Sequence, residues 1–275
     1  MYKSAIAIFA YNRPSHLKRL LIALENYQIK FIDVFIDGPK NKKDKLIQDE
    51  ILFMLKNNSK IDINIIYRKK NLGLAKSLIL GIDYMSNKYD HFIILEDDVI
   101  PYKNFFKFMK LNLKKYQNNN EISAICAYQF PEFNLIKENK NISLINDYFI
   151  PWGWATWSSK WKEYKSFKVS EEKLKKIKGK TIFKFFFNKL KTKKNSIWTA
   201  SYVIFCLLKK KKFIYPLFSL TKNIGFDGSG VNSKISNKLR VFEKKNLENY
   251  FHYSNDSKYK LKFSKIFKSR LKLFY

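Results

Sequence analysis

His91-Phe-Ile-Ile-Leu-Glu-Asp-Asp-Val-Ile-Pro101 is the stretch on which the fold turns. Four apolar residues, Phe92 to Leu95, run without a break into three consecutive carboxylates, Glu96, Asp97 and Asp98. An unbroken apolar run this short fits a strand buried on both faces, as in a parallel sheet. A single unpaired buried carboxylate costs several kcal/mol, so three at a strand's end require a compensating cation. Asp and Glu oxygens are hard ligands that suit Mg²⁺ or Mn²⁺. In an open α/β sheet the carboxyl ends of the strands are also where ligands bind. The simpler alternative is an acidic turn leading into a helix that Pro101 helps to open.

Upstream, residues 4–10 read as a buried strand, followed by Tyr11-Asn-Arg-Pro14 and a helix from about Leu17 to Tyr27 that Ser15 can cap. Residues 31–36 form a second strand, ending at Asp37-Gly-Pro-Lys40. An amphipathic helix from Lys43 to Lys56, a third strand from Ile61 to Tyr67 and a helix from Lys76 to Met85 complete the approach. Strands alternating with helices in this rhythm predict an α/β fold, with a mostly parallel central sheet flanked by helices and right-handed crossovers.

Downstream, a helix is expected from Phe105 to Tyr116 and a strand from Ile122 to Ala127. The alternation then stops. Residues 147–164 are dense in tryptophan, and residues 168–194 are lysine-rich around Phe183 and Phe185 to Phe187. A helix from Ile197 to Leu208, a strand from Phe213 to Leu217 and a glycine-punctuated loop from Asn223 to Asn232 follow. No internal repeat is present. After Asn255, Tyr259, Phe263, Ile266, Phe267, Leu271 and Phe274 recur at helical spacing between basic residues. Such a helix suits an anionic membrane interface, or packs its apolar face on the domain.

The chain has 275 residues, 46% of them hydrophobic, enough for a substantial core. Its net charge is +31, unevenly placed. Residues 1–159 carry 23 Lys and Arg against 16 Asp and Glu, whereas residues 160–275 carry 31 against 7. An AT-rich coding sequence accounts for many lysines but not for their concentration in one half. A basic half implies an anionic partner, membrane surface or nucleic acid. Cys126 and Cys206 lie in apolar surroundings and read as buried free thiols in a reducing compartment. No Cys/His cluster points to zinc, and no apolar run is long enough to span a bilayer. A cytoplasmic location, peripheral at the inner face of the cell membrane, is therefore expected.

In order along the chain, Phe9-Ala-Tyr-Asn-Arg-Pro14, Phe35-Ile-Asp-Gly-Pro39, Asn71-Leu-Gly-Leu74, Glu96-Asp-Asp98 and Pro151-Trp-Gly-Trp154 resemble GT-A glycosyltransferases. The likeness is greatest to bacterial relatives of the N-acetylglucosaminyltransferases of N-glycan maturation, and it covers roughly residues 4–232. It implies a Rossmann-like GT-A domain over 1–232, with a nucleotide-sugar-binding half at 1–127 and an acceptor-side half at 128–232. Residues 233–275 are then a basic aromatic extension, a candidate for membrane association. The implied activity is transfer of a sugar from a nucleoside-diphosphate donor, with UDP first among the nucleotides, to a hydroxyl of a glycan or lipid-linked acceptor. Polysaccharide or lipopolysaccharide synthesis is the setting this implies.

The same resemblance makes Asp98 the ligand of a divalent metal, Mn²⁺ or Mg²⁺, and sets Asp97 and Glu96 against the donor's ribose or sugar. Ala10 and Tyr11 would flank the donor. Arg13 would pair with its phosphate or base, or is an ordinary surface arginine. Asp37 would accept from a uracil ring, or simply forms the turn before Gly38. Asn71, Gly73 and Lys76 would line the donor at a helix N-terminus that favours phosphate. Trp152 and Trp154 would cover the apolar face of a sugar, with Gly153 allowing close approach, unless they are core residues; Trp157 and Trp161 read as core. An inverting transferase needs a carboxylate base. Its relatives place one just after a late tryptophan, but here Trp198 precedes Thr199-Ala-Ser-Tyr202, with no acid. Asp227, in the glycine-rich loop, is the substitute candidate. Three rivals stand beside this reading. A basic nucleic-acid-binding protein would not explain the carboxylates. A nucleotidyltransferase on a similar sheet would need a Gly-rich triphosphate loop, which is not evident in this sequence. A non-catalytic sugar-nucleotide binder would account for the missing acid.

Overall fold

The computed structural model describes residues 5–137, 140–167, 198–229, 241–244, 251–253 and 257–274. The lysine-rich stretch at 168–194 and the end of the glycine-rich loop, Gly230 to Asn232, lie outside the described residues.

Four parallel strands form one half of the central sheet: β1 (Ala5–Ala10), β2 (Phe31–Ile36), β3 (Asp62–Tyr67) and β4 (His91–Glu96). Every residue of β1 is buried, as are Phe92 to Leu95 of β4, because helices cover the faces of the sheet. The crossover helices are α1 (Pro14–Asn26), α2 (Lys42–Lys56) and α3 (Leu74–Lys88). α1 begins at Pro14, earlier than the apolar spacing places it, and Ser15 lies inside the helix instead of capping it. Proline suits the first helical position, where its missing N–H has no partner to lose. α2 is capped by Asn41, which accepts from the Asp44 amide at 2.8 Å.

The other half is mixed. It comprises β5 (Val99–Pro101), α4 (Phe105–Lys115), β6 (Ile122–Cys126), β7 (Asn141–Asn146), β8 (Trp154–Trp157), α5 (Ser158–Ser166), α6 (Trp198–Leu208), β9 (Lys212–Pro216), β10 (Thr221–Asn223), β11 (Phe251–Tyr253) and α7 (Ser257–Phe274). The nine-stranded sheet has the order β11-β7-β9-β6-β8-β4-β1-β2-β3, with β8 antiparallel to both neighbours. This is the helix-flanked α/β architecture that the sequence predicts. Pro101 ends β5 and does not open a helix; β5 pairs with β10 in a small sheet of its own. The tryptophan-dense segment supplies β8 and α5.

Two features of this topology matter for function. After β1, the chain lays down β2 and β3 to one side, then returns to place β4 on the other side of β1. The strand order thus reverses between β1 and β4, and at such a reversal the loops diverge and leave a crevice beyond the carboxyl ends. Second, the C-terminal residues are part of the sheet: β11 pairs with β7. On α7, Tyr259, Phe263 and Phe267 are buried, with Phe267 stacked on Tyr148 at 4.6 Å between ring centres. Of the two alternatives for this amphipathic helix, its apolar face takes the one that packs on the domain. Among the described residues no helix is long and apolar enough to cross a membrane.

Candidate active site

The loops after β1, β2, β3 and β4 meet at the crevice, and side chains from α2 tie the first two together. Asp44, one turn into α2, accepts from Tyr11 Oη at 2.7 Å and Asn12 Nδ2 at 2.9 Å. Burial and this bond to Asp44 push the Tyr11 hydroxyl up to about 12. One turn further along, Gln48 Nε2 donates to the carbonyls of Tyr11 (3.2 Å) and Asp37 (2.9 Å). Asp44 and Gln48 were not singled out from sequence. The spacing Asn41-x-x-Asp44, a cap followed three residues later by an acid, was the available signal.

Asp37 ties the second loop to the third. Its carboxylate accepts from the amides of Gly38 (3.0 Å), Leu72 (3.0 Å to Oδ1) and Gly73 (2.9 Å). Asn71 Nδ2 adds a bond to the Gly38 carbonyl at 2.6 Å. The positive end of α3 is thereby already matched by the chain's own carboxylate, where the sequence led us to expect a phosphate. Lys76, on the first turn of α3, is exposed.

The acidic turn sits at the strand reversal itself. The Phe9 carbonyl accepts from the Asp97 amide at 3.0 Å, which extends the β1–β4 ladder by one step. Asp97 is 2% exposed, Asp98 is 9% exposed, and Glu96 is part-exposed. Arg13, from the β1 loop, reaches across the reversal and donates to Asp97, while its Nη2 stands 2.9 Å from Asp98 Oδ2. Burial drives Glu96 and Asp97 upward in pKa, the neighbouring carboxylates add to it, and Arg13 opposes it. Arg13 itself is raised by Asp98 and Asp97 in spite of burial. Ala10 is buried at the end of β1, where it pairs with Ile36.

A second layer covers the turn. Pairing of Asn223 with Val99 delivers the next residue, Ile224, whose amide donates to the Asp98 carbonyl at 2.8 Å. Gly225 then passes so close that a Cβ there would stand 2.1 Å from Asp98 Oδ2, so no side chain is admissible without moving the turn. Phe226 meets Trp152 edge-on at 5.3 Å. Asp227 Oδ2 comes within 3.1 Å of His16 Nε2 and remains 47% exposed. Its carboxyl is held below the usual range by the hydroxyl and amide of Ser229.

The expected acceptor residues divide. Trp152 is 9% exposed and touches the covering loop. Trp154 is 1% exposed and stacks on Trp198 in the core, which removes it from the crevice. Gly153 does allow a close approach, but to Thr221 and Phe105 of this chain: a Cβ would lie 2.7 Å from Thr221 Cγ2. Trp157 and Trp161 are core residues, their indoles donating to the Leu113 carbonyl and to Asp83.

Asp98 fits a hard divalent cation as a single protein ligand. Its side chain is 13% exposed against 3% for Asp97, and only Oδ2 faces Arg13. Mg²⁺ and Mn²⁺ are commonly held by one or two carboxylates together with ligand phosphates.

No family model and no curated protein matches the sequence. Among solved structures, the chain is similar to a UDP-glucose pyrophosphorylase complexed with UDP-glucose, at 10% identity over 80% of this chain and 91% of that one, with a TM-score of 0.40. It is also similar to mouse xyloside xylosyltransferase 1 (8% identity, 78% and 84% covered, TM-score 0.41). A third is HddC from Yersinia pseudotuberculosis (14% identity, 62% and 84% covered, TM-score 0.36). At identities this low, the chemistry of the crevice has to be read from its own residues.

Proposed function

We propose that the chain is a glycosyltransferase that takes a sugar from a nucleoside diphosphate, UDP first among the candidates, with a divalent cation at Asp98. Its acceptor would be a glycan or lipid-linked hydroxyl in the synthesis of cell-surface polysaccharide. The observation that carries this reading is the Glu96-Asp97-Asp98 turn, buried at the reversal of strand order and faced by one arginine. The carboxyl ends of the strands at such a reversal are where an open α/β sheet binds ligands. A bound divalent cation would supply Lewis-acid stabilisation of the departing diphosphate.

The chain's own residues would do the rest. Arg13 pairs with both Asp97 and Asp98, offsetting one of their two charges, and would stand beside an incoming diphosphate. Exposed Lys76 and Lys40, around the same crevice, extend the positive field. Asp37, Asp44 and Gln48 hold the donor loops in place without touching donor. Asp227, exposed beside buried His16, is the proposed acceptor of the hydroxyl proton; its low pKa makes it a weak base until substrate displaces water from it. Trp152 would line the acceptor side.

That low basicity also favours a second reading, a sugar-nucleotide binder without turnover. Release of UDP from UDP-sugars, measured with Mn²⁺ and with a chelator, separates the two. The transferase reading expects metal-dependent release that Asp98→Ala abolishes and Asp227→Asn lowers by about 10²-fold or more. Saturable UDP binding without release from any UDP-sugar would favour the second.

A further inference from the structure

We infer that the surface formed by the outer stripe of α7 and the two segments beside it docks on an anionic lipid surface. The helix has two faces of different character. Tyr259, Phe263 and Phe267 point into the domain, whereas Lys258, Leu261, Lys265 and Lys268 recur on the opposite side and are all exposed. Their spacing keeps them within one narrow face of a 3.6-residue helix.

Two more segments extend this face. The short 3₁₀ turn Pro131–Phe133 and the residues after it lie against α7. Glu132 takes Arg270 as an ion pair, its carbonyl accepts from Lys262 Nζ at 2.8 Å, and Lys262 lies over the Phe133 ring. Residues 241–244 lie along the other side of that turn: Asn134 Nδ2 donates to the Phe242 carbonyl at 3.0 Å, and Lys244 Nζ to the Ile136 carbonyl at 3.1 Å. Each segment presents one large apolar side chain to solvent: Leu135 at 81%, Phe242 at 63% and Leu261 at 66% exposure. Exposed Lys137, Lys258, Lys265 and Lys268 stand among them, while Glu132 is engaged by Arg270 and Glu243 accepts from the Lys103 amide.

Charge complementarity selects the occupant. Apolar side chains interspersed with lysines match an anionic bilayer, whose headgroups meet the charges while the interface takes the apolar groups. A nucleic acid would use the lysines but leave two leucines without a role. The patch is linked to the strand that follows the acidic turn: Val241, which opens its third segment, accepts at its carbonyl from Tyr102, four residues beyond Asp98. An acceptor carried on a lipid would thus be held on the same side chain network as the segment that follows the acidic turn. This deepens the transferase reading and rests on it for the lipid-linked acceptor.

The test is co-sedimentation of the full chain with vesicles of phosphatidylglycerol and phosphatidylcholine, without nucleotide or metal. Wild type should bind these and not vesicles of phosphatidylcholine alone, with binding reduced by salt. The Lys258, Lys265 and Lys268→Gln triple should lose roughly hundredfold in affinity. Leu135, Phe242 and Leu261→Ser together should weaken binding by at least tenfold. The same charge change on α2, Lys42, Lys43 and Lys56→Gln, should leave it at the wild-type level. An unchanged unfolding midpoint confirms that each variant is folded. Equal losses from both lysine triples, full binding by the serine triple, or wild-type protein competed off by single-stranded oligonucleotide as readily as it binds lipid would each overturn the inference. UDP binding in the same preparation reports on the crevice separately, so either reading can fail without the other.

Discussion

The two halves of the sheet solve different problems. From β3 to β4 the strands are parallel, their apolar runs are sandwiched between helices, and, apart from Asp33 within β2, the buried acids collect at the carboxyl end. There they bond mainly to one another's loops: Asp37 to the β3 loop, Asp44 to the β1 loop, Arg13 to the β4 turn. From β8 to β11 the directions are mixed and aromatic packing dominates. Phe149, Trp154, Trp198 and Tyr202 sit within 5.0–6.2 Å of one another in edge, stacked and tilted pairs, with Phe149–Trp154 at 5.0 Å. The parallel half can change loop residues and keep its core. Among the described residues the mixed half is largely core, and it brings the 224–229 loop over the acidic turn, with Trp152 against Phe226 of that loop.

If that contrast is right, substitutions should separate cleanly. Trp154→Ala should destabilise the protein by about 3–5 kcal/mol, measured by urea unfolding, because it empties the aromatic cluster. A folded, equally stable Trp154→Ala protein with impaired acceptor use would return this residue to the crevice and blur the distinction. Asp37→Asn should cost less, about 1–3 kcal/mol, since an amide would turn N–H groups toward the Leu72 and Gly73 amides. The same unfolding curves report it, and nucleotide affinity should fall with the loop it anchors. No change in either would mean that Asp37 is an ordinary turn residue.

A third effect depends on pH. Lys160 of α5 is 7% exposed, donates to the Tyr116 carbonyl at 2.8 Å and lies over the Trp157 ring. Burial, with Lys211 adding to it, lowers its pKa to about 7 from the 10.5 of an unfolded chain. Above pH 7 the unfolded chain holds a proton that the folded one has released, so stability should rise with pH from about 7 to 9. The slope contributed by this one group is at most ~1.4 kcal/mol per pH unit. Thermal unfolding of wild type and Lys160→Met across that range should show the rise only in wild type; parallel curves would refute it.

The contrast also explains what could be read without coordinates. β1, β2, β4 and their helices were legible because continuous apolar runs and helical periodicity are strong local signals. The order of the carboxylates and their place at a strand end followed directly. β5 and β8 were not legible, since three residues ending in proline and four containing two tryptophans carry no period to detect. Their pairing is decided by distant partners, Thr221–Asn223 for β5 and both β4 and β6 for β8. For the same reason Trp154 looked available to a sugar when it is in the core. Gly225 could be marked as flexible, but not as the one residue type that fits against Asp98. Cys126 and Cys206, buried free thiols, needed only their apolar neighbours to be placed.

The central claim is that the turn at the strand reversal holds a metal-dependent nucleotide. Calorimetric titration of UDP into the full chain, with and without Mn²⁺, for wild type and Asp98→Ala, tests it most directly. Saturable binding that requires both Mn²⁺ and Asp98, in a variant whose unfolding midpoint is unchanged, is the expected result. UDP binding that is indifferent to the metal and to Asp98, or absent altogether from wild type, would contradict it.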